Sequence, residues 1–305
     1  MEIEKPEGLI AAPPTPMTDE GELNLGTVER QVGMLVHYDL RGAFPCGTTG
    51  ESLALTVPER LRVAERWVEA APEDFAVIVH VGHTSLVAAR ELAAHAQRTG
   101  ADAVAAMGPS FLKPDGIEGL VAFCSEVAAA AARLPFYYYH IPSVSGVDLP
   151  MIEFLRAAAD SIPNLAGMKY THEDLMDYLR CLRLEGGRYD MLFGRDEMLL
   201  AALALGARGA VGTTYNFAAP LYHTVMRAFE GGDMATAREA QAQAAEMVDV
   251  LRRYGGVRAA KEMMKLIGLD CGPARLPLRP FTDSERRELR ADLEAAGFFD
   301  YAMQG

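Results

Sequence analysis

The sequence predicts an α/β fold, a TIM (β/α)8 barrel with a C-terminal helical extension. Eight short apolar runs alternate with segments of helical periodicity, mostly at intervals of ~25–35 residues. The runs are continuously apolar, which is typical of parallel strands that are covered by helices on their outer side. No GxGxxG motif follows the first run, and this disfavours a doubly wound sheet that binds a dinucleotide.

The predicted strands are short, and prolines, glycines or polar loops end them. In chain order they lie within residues 8–16, 42–46, 75–81, 103–107, 135–141, 165–169, 190–193 and 209–213. Helical periodicity follows most of them, at residues 24–39, 56–71, 85–98, 117–132, 150–159, 173–183 and 197–205. Thr56 and Glu59 have the spacing of a capping box, and Pro58 falls in the first turn of that helix.

The chain continues beyond the eighth strand with further helical patterns. They lie at residues 221–229, 234–254, 257–269 and 284–296. No low-complexity segment or linker separates them from the strands. We therefore expect a barrel at residues 1–217 and a helical extension at residues 218–305 that packs on the barrel.

Composition narrows the class of protein. Half of the 305 residues are hydrophobic, and the net charge is −13 with a pI near 5.0. An acidic surface repels phosphate backbones, which argues against nucleic-acid binding. No run approaches ~20 apolar residues, and residues 1–6 lack a signal-peptide core, so we expect no membrane partner. Four scattered cysteines without CxxC spacing fit reduced thiols and a cytoplasmic location: Cys46, Cys124, Cys181 and Cys271.

Lys169 stands at the end of the sixth apolar run, residues 165–171. Burial of an amine lowers its pKa, and a neutral amine is a nucleophile toward carbonyl carbon. The other lysines, Lys5, Lys113, Lys261 and Lys265, lie beside prolines or on polar helical stretches. Lys169 is therefore the predicted nucleophile, and the alternative is a strand-end lysine that extends to solvent.

In barrels of this class the active site lies at the C-terminal ends of the strands. That rule brings together one amine, one phenol, several hydroxyls and two carboxylates. Such a set suits carbonyl chemistry on a small polyhydroxylated acid. Besides Lys169, the candidate residues are Thr48, Thr49, Tyr139, Thr171, Gly194, Asp196, Glu197 and Thr213.

Each candidate also has a structural alternative. Residues 47–50 form either a tight turn or a small anion nest for a carboxylate. Tyr139 is either a core aromatic or a proton shuttle, and within the run 137–139 the first and third side chains share a face. Asp196 and Glu197 open a helix, where carboxylates are favoured by the helix dipole in any case. His80, His83 and His140 lack the spacing of metal ligands, so we expect no metal site.

Three motifs occur together: GTTGE at 47–51, YxIPxxxG at 139–146 and GMK at 167–169. In their order and strand positions they resemble the pyruvate-dependent class I aldolases, which include N-acetylneuraminate lyase and dihydrodipicolinate synthase. The similarity runs from about residue 8 to residue 280. It implies a homotetramer without an external cofactor, in which Lys169 forms a Schiff base with pyruvate. It also implies that Tyr139 relays a proton, and that Thr48 and Thr49 hold the pyruvyl carboxylate.

Two positions depart from dihydrodipicolinate synthases. Val144 stands where those enzymes usually carry an arginine that binds the carboxylate of the aldehyde. The loop at residues 110–114 carries Phe111 and lacks the tyrosine that enters a neighbouring subunit's site. Both departures argue against an acceptor that is an amino-aldehyde acid.

Four segments resemble N-acetylneuraminate lyases instead: 137–142, 193–197, 212–216 and 272–277. That resemblance implies that sugar hydroxyls bind to Thr171, Gly194, Asp196, Glu197 and Thr213. Our main hypothesis is cleavage of N-acetylneuraminate, or a related sugar 2-keto acid, to pyruvate and an aldehyde. The alternatives are dihydrodipicolinate synthase, another pyruvate-dependent aldolase, and a barrel that binds a metabolite without turnover.

Overall fold

The computed structural model describes residues 5–305, so the first four residues of the predicted barrel segment lie outside the described part. Eight parallel strands pair in chain order, and β1 pairs with β8 to close the barrel. The strands are β1 (Gly8–Ala11), β2 (Gly42–Ala43), β3 (Ala76–His80), β4 (Ala103–Met107), β5 (Phe136–His140), β6 (Leu165–Tyr170), β7 (Asp190–Phe193) and β8 (Gly209–Gly212). The predicted fold class is confirmed.

Helices separate most of the strands and cover the outside of the barrel. They are α1 (Thr27–His37), α2 (Val57–Ala70), α3 (Leu86–Thr99), α4 (Ile117–Ala129), α5 (Pro142–Ser145), α6 (Met151–Ala158), α7 (Leu175–Arg183) and α8 (Leu199–Leu205). The predicted capping box at the start of α2 is present, because the Thr56 hydroxyl accepts from the Glu59 N–H and the Glu59 carboxylate accepts from the Thr56 N–H.

Strand alternation divides the core into two layers. Side chains at one set of positions fill the barrel interior, and among them are Ile10, Met107, Tyr137 and Tyr139. Tyr138 belongs to the larger layer between the strands and the helices. The predicted division of residues 137–139 between two faces is therefore confirmed, and it directs the Tyr139 side chain into the barrel.

The second strand is shorter than predicted. β2 ends at Ala43, whereas the apolar run continues to Cys46. Pro45 has no N–H to donate to a neighbouring strand, and Cys46 adopts a left-handed conformation with φ 59°. Thr48 and Thr49 therefore lie in the loop that follows β2 and not on the strand itself.

The four helices after β8 are α9 (Tyr215–Glu230), α10 (Met234–Arg253), α11 (Val257–Leu266) and α12 (Asp283–Ala295). α9 begins at Tyr215, six residues before the predicted start. It does so because the helix continues through Pro220, which the prediction treated as lying outside it. A break at Ala218 (φ −134°, ψ 24°) places Pro220 within the first turn after the break, where a missing N–H costs little. No helix in residues 5–305 has the length and apolarity that crossing a bilayer requires.

Candidate active site

Lys169 lies on β6, and its side chain is buried inside the barrel mouth with 4% of its surface exposed. Burial lowers the pKa of Lys169 to about 7, and the nearby Asp196 carboxylate opposes that decrease. A substantial fraction of the amine is therefore neutral at pH 7. The predicted desolvation of this lysine is confirmed.

Two aromatic rings pack against the Lys169 amine. Its Nζ lies 4.3 Å from the ring centroid of Phe44 and 4.3 Å from that of Tyr139. The His80 ring meets Tyr139 edge-on, with the two centroids 5.7 Å apart. These rings exclude water around the amine, which is the physical cause of its lowered pKa.

The Tyr139 phenol, whose ring packs against the amine, is a candidate for proton transfer. Burial raises the pKa of Tyr139 to about 12, so the hydroxyl stays protonated at neutral pH. Its oxygen lies 3.3 Å from Thr48 Oγ1, a hydrogen-bonding distance. Phenol and hydroxyl thus form a two-member chain that leads from the lysine to the loop after β2.

That loop is joined to β8 through the second threonine. Thr49 Oγ1 and Thr213 Oγ1 are 2.6 Å apart. Thr15, after β1, donates its hydroxyl to the Gly50 carbonyl at 2.8 Å and fixes the far end of the turn. The loop therefore presents two hydroxyls to the same mouth from a backbone that is held on both sides.

Asp196 is buried at the same mouth and does not cap its own helix. Its Oδ2 accepts from the N–H and the hydroxyl of Thr214, at 2.9 and 2.7 Å. Burial raises the pKa of Asp196 to about 6, which those hydrogen bonds and Lys169 oppose. Gly212 makes room for this carboxylate, since a Cβ there would lie 2.1 Å from Oδ1.

Glu197 is placed differently from Asp196. Its carboxylate pairs with Arg195 at 3.4 Å and with Arg252 of α10. Arg195 also pairs with Glu173, so a charged cluster forms the rim above the lysine. Glu197 reaches the mouth as part of that cluster and not as a free carboxylate.

Thr171 and Gly194 follow neighbouring strands, β6 and β7. A Cβ on Gly194 would lie 2.0 Å from Thr171 Oγ1, so only glycine leaves room for that hydroxyl. Thr171 Oγ1 is buried and has no hydrogen-bond partner in residues 5–305. An unsatisfied buried hydroxyl is the kind of group that a polar ligand would satisfy.

The structure thus brings all nine predicted site residues to one end of the barrel. Sequence reasoning missed Phe44 and Arg195, although both stand at strand ends, where the same rule would find them. It was wrong about Lys261, predicted on a polar helical stretch: this lysine is only 2% exposed. Its partner, the Glu51 carboxylate, is distant in sequence and close in the fold.

A cavity of about 1190 Å³ opens at the opposite end of the barrel, lined in part by Gly8, Ala103 and Tyr137. The Tyr137 hydroxyl donates to Asp190 at 2.9 Å and closes the bottom of the interior. None of the nine candidates lines this cavity. No group of three or more His, Cys, Asp or Glu in the described residues is placed to hold a metal ion.

This fold, with polar side chains gathered at the C-terminal ends of the strands, is typical of (β/α)8-barrel enzymes. A model of the Dihydrodipicolinate synthetase family matches residues 5–296. The chain belongs to that family.

Within this family, the chain is similar to proteins named N-acetylneuraminate lyase. The chain is 42% identical over 305 residues to the N-acetylneuraminate lyase of Homo sapiens, covering 97% of this chain and 95% of that protein. It is 44% identical over 276 residues to N-acetylneuraminate lyase A of Xenopus laevis, covering 89% and 90%. Among solved structures, Proteus mirabilis N-acetylneuraminate lyase superposes with a TM-score of 0.94 at 42% identity, over 97% of this chain and all of that one.

Proposed function

We propose that this protein is a class I aldolase that cleaves N-acetylneuraminate, or a closely related sugar 2-keto acid, reversibly to pyruvate and N-acetylmannosamine. The observation that carries the proposal is the buried Lys169 amine, with a pKa of about 7, beside the Tyr139 phenol. The names of the similar proteins favour a sugar acid over the alternative, aspartate semialdehyde with pyruvate.

Lys169 supplies the nucleophile. The neutral Nζ attacks the C2 ketone of the open-chain substrate, and loss of water gives an iminium ion. The C4 hydroxyl loses its proton as the C3–C4 bond breaks, and the electron pair of that bond flows into the iminium to give an enamine. Protonation at C3 and hydrolysis release pyruvate and restore the amine, so the only covalent partner is the substrate itself and no external cofactor is required.

Tyr139 relays the proton from the C4 hydroxyl. With a pKa of about 12, the phenol does not act as a standing base at neutral pH. It accepts one proton while it passes its own onward, and Thr48 is within reach as the next member of the chain at 3.3 Å. The same phenol returns a proton in the reverse, condensation direction.

The pyruvyl carboxylate binds in the loop after β2. Thr48 and Thr49 contribute hydroxyls, and the backbone N–H groups of the turn add donors. The sugar chain extends toward the charged rim, where hydroxyls meet carboxylate and threonine oxygens. The residues proposed to bind it are Thr171, Gly194, Asp196, Glu197 and Thr213.

We divide the chain into a barrel at residues 1–217 and a helical extension at residues 218–305. α9 spans this boundary, and both α9 and α10 contact the barrel. The protein works in the cytoplasm, which fits four cysteines that are buried and unpaired. It assembles as a homotetramer, in keeping with its family resemblance.

A substrate panel tests the proposal. Purified protein is assayed with N-acetylneuraminate for release of pyruvate, and separately with pyruvate plus aspartate semialdehyde. We expect turnover of the first and none of the second. Turnover of aspartate semialdehyde alone would assign the alternative activity, and reversible pyruvate binding that yields no product with any aldehyde would indicate a binding protein.

A further inference from the structure

The loop that carries Thr48 and Thr49 ends in a strained turn. Glu51 and Ser52 both have positive φ, at 62° and 22°, and neither is a glycine. Such conformations are unfavourable for residues with a side chain, and they persist where the surroundings enforce them.

The C-terminal extension holds this turn, through the Glu51 side chain. Glu51 Oε1 lies 2.5 Å from the Nζ of Lys261 on α11, and Oε2 accepts from the backbone N–H of Arg275 at 2.7 Å. Lys261 also donates to the Pro273 carbonyl at 2.8 Å. Both side chains of the ion pair are almost completely buried, with 2% and 3% of their surfaces exposed.

The ion pair is connected directly to the carboxylate-binding turn. The Glu51 N–H donates to the Thr48 carbonyl at 3.1 Å, so the residue that Lys261 holds also closes the turn that bears Thr48. The adjacent Ser52 hydroxyl lies 3.2 Å from His80 Nδ1, and this contact anchors the turn to β3. A buried ion pair is a weak source of stability, because desolvation offsets the attraction, but it fixes geometry.

We infer that Lys261 is a positioning residue for the active site. Through Glu51 it sets the shape of the loop that receives the substrate carboxylate, so the C-terminal extension controls affinity for the 2-oxo acid. This inference rests on the proposed function, because it assigns carboxylate binding to that loop. Lys261 does not touch the reacting atoms and acts only through Glu51.

The test is the double variant Glu51→Gln/Lys261→Met, which removes both charges and leaves no lone buried ion. We expect the KM for N-acetylneuraminate to rise about tenfold while kcat changes by less than about threefold, because substrate binding is lost and the chemical step is not. Lys265→Met is the matched control: it lies one turn further along α11 and pairs with Asp270, away from the loop. Lys261→Arg, which keeps the cation, should retain a KM close to that of the wild type.

Hydrogen exchange gives a second measurement that does not depend on turnover. Peptides covering residues 47–55 should exchange faster in the double variant than in the wild type, and their exchange rate should be unchanged in Lys265→Met. If the double variant does not fold, Glu51→Gln/Lys261→Gln, which also leaves no lone buried charge and keeps a polar group at both positions, is measured in the same two ways. A KM equal to that of Lys265→Met, or unchanged exchange in the loop, would overturn the inference. Failure of the proposed function would appear instead in the wild type, as absence of cleavage, and the exchange data would still decide this point.

Discussion

The Lys169 amine lies over the ring of Tyr139, with 4.3 Å between Nζ and the ring centroid. This contact places the proposed nucleophile and the proposed proton relay in one dry space. The same ring contributes to the burial that lowers the pKa of the amine, while its own hydroxyl points to Thr48. The proposed nucleophile and the proposed relay therefore form one packed pair, so a change to either side chain affects both.

The first prediction concerns pH. Since burial lowers the pKa of Lys169 to about 7, the rate of imine formation with pyruvate should rise about tenfold per pH unit below that value and level off above it. Between pH 7 and the ordinary lysine value of about 10.4, Lys169 is protonated in the unfolded chain and largely neutral in the native one. The contribution of Lys169 to the free energy of unfolding therefore rises with pH in this range. Stopped-flow measurement of imine formation from pH 5 to 9 checks the profile. A rate that still rises about tenfold per pH unit between pH 8 and 9 would contradict it.

The second prediction concerns Asp196. Its carboxylate raises the pKa of Lys169 against the effect of burial, so Asp196→Asn should move the acid limb of the pH–rate profile to lower pH. The matched control is Asp190→Asn, which alters the other buried aspartate inside the barrel, at the opposite end. The control profile should overlay that of the wild type. A limb that stays in place in Asp196→Asn would show that the carboxylate does not act on the amine.

The third prediction concerns the proton relay. Tyr139→Phe should reduce turnover by about 10²–10⁴, the usual contribution of a positioned acid–base group. Pyruvate should still form its imine with Lys169, because that step uses the amine. Tyr138→Phe is the control, since the neighbouring side chain belongs to the outer layer of the core. Full turnover by Tyr139→Phe would disprove the relay.

The fourth prediction concerns Gly194. In Gly194→Ala the new Cβ would lie 2.0 Å from Thr171 Oγ1, so the threonine hydroxyl must move. We expect the KM for the sugar acid to rise about tenfold with little change in pyruvate binding, because the displaced hydroxyl belongs to the proposed sugar site. Gly33→Ala, where a Cβ meets nothing within 4 Å, serves as the control. Equal KM values for the two variants would remove Thr171 from the proposed sugar site.

The fifth prediction concerns stability. Thr56→Ala removes the hydroxyl that caps α2, and such a change lowers the free energy of unfolding by about 1 kcal/mol. Denaturant unfolding followed by circular dichroism measures the difference. A loss below about 0.3 kcal/mol would mean that the Glu59 carboxylate, which also pairs with Arg275, holds this helix end without the threonine.

The barrel could be predicted from sequence because each strand is buried on both faces and is therefore continuously apolar. The burial of Lys169 could be predicted because this charged residue lies within a continuously apolar run. The start of α9 could not, since it depends on a backbone break at Ala218 that residue type does not reveal. For the end of β2, Pro45 is a signal in the sequence, whereas the left-handed conformation of Cys46 is not.

The ion pair between Glu51 and Lys261 could not be predicted from the sequence either. Periodicity indicates which face of a helix is apolar, and on α11 a lysine counts as polar whether it is solvated or buried. Only the closed fold brings α11 beside the loop after β2 and shows that this lysine has a carboxylate partner. Contacts between segments distant in the chain are decided by topology, which local patterns constrain only loosely.

The most direct test of the proposed chemistry traps the covalent intermediate. The protein is incubated with pyruvate, reduced with borohydride, digested and analysed by mass spectrometry. We predict that the peptide containing Lys169 gains the mass of a reduced pyruvyl group and that peptides containing Lys261 do not. An unmodified Lys169 peptide at saturating pyruvate would contradict the assignment of this lysine as the nucleophile.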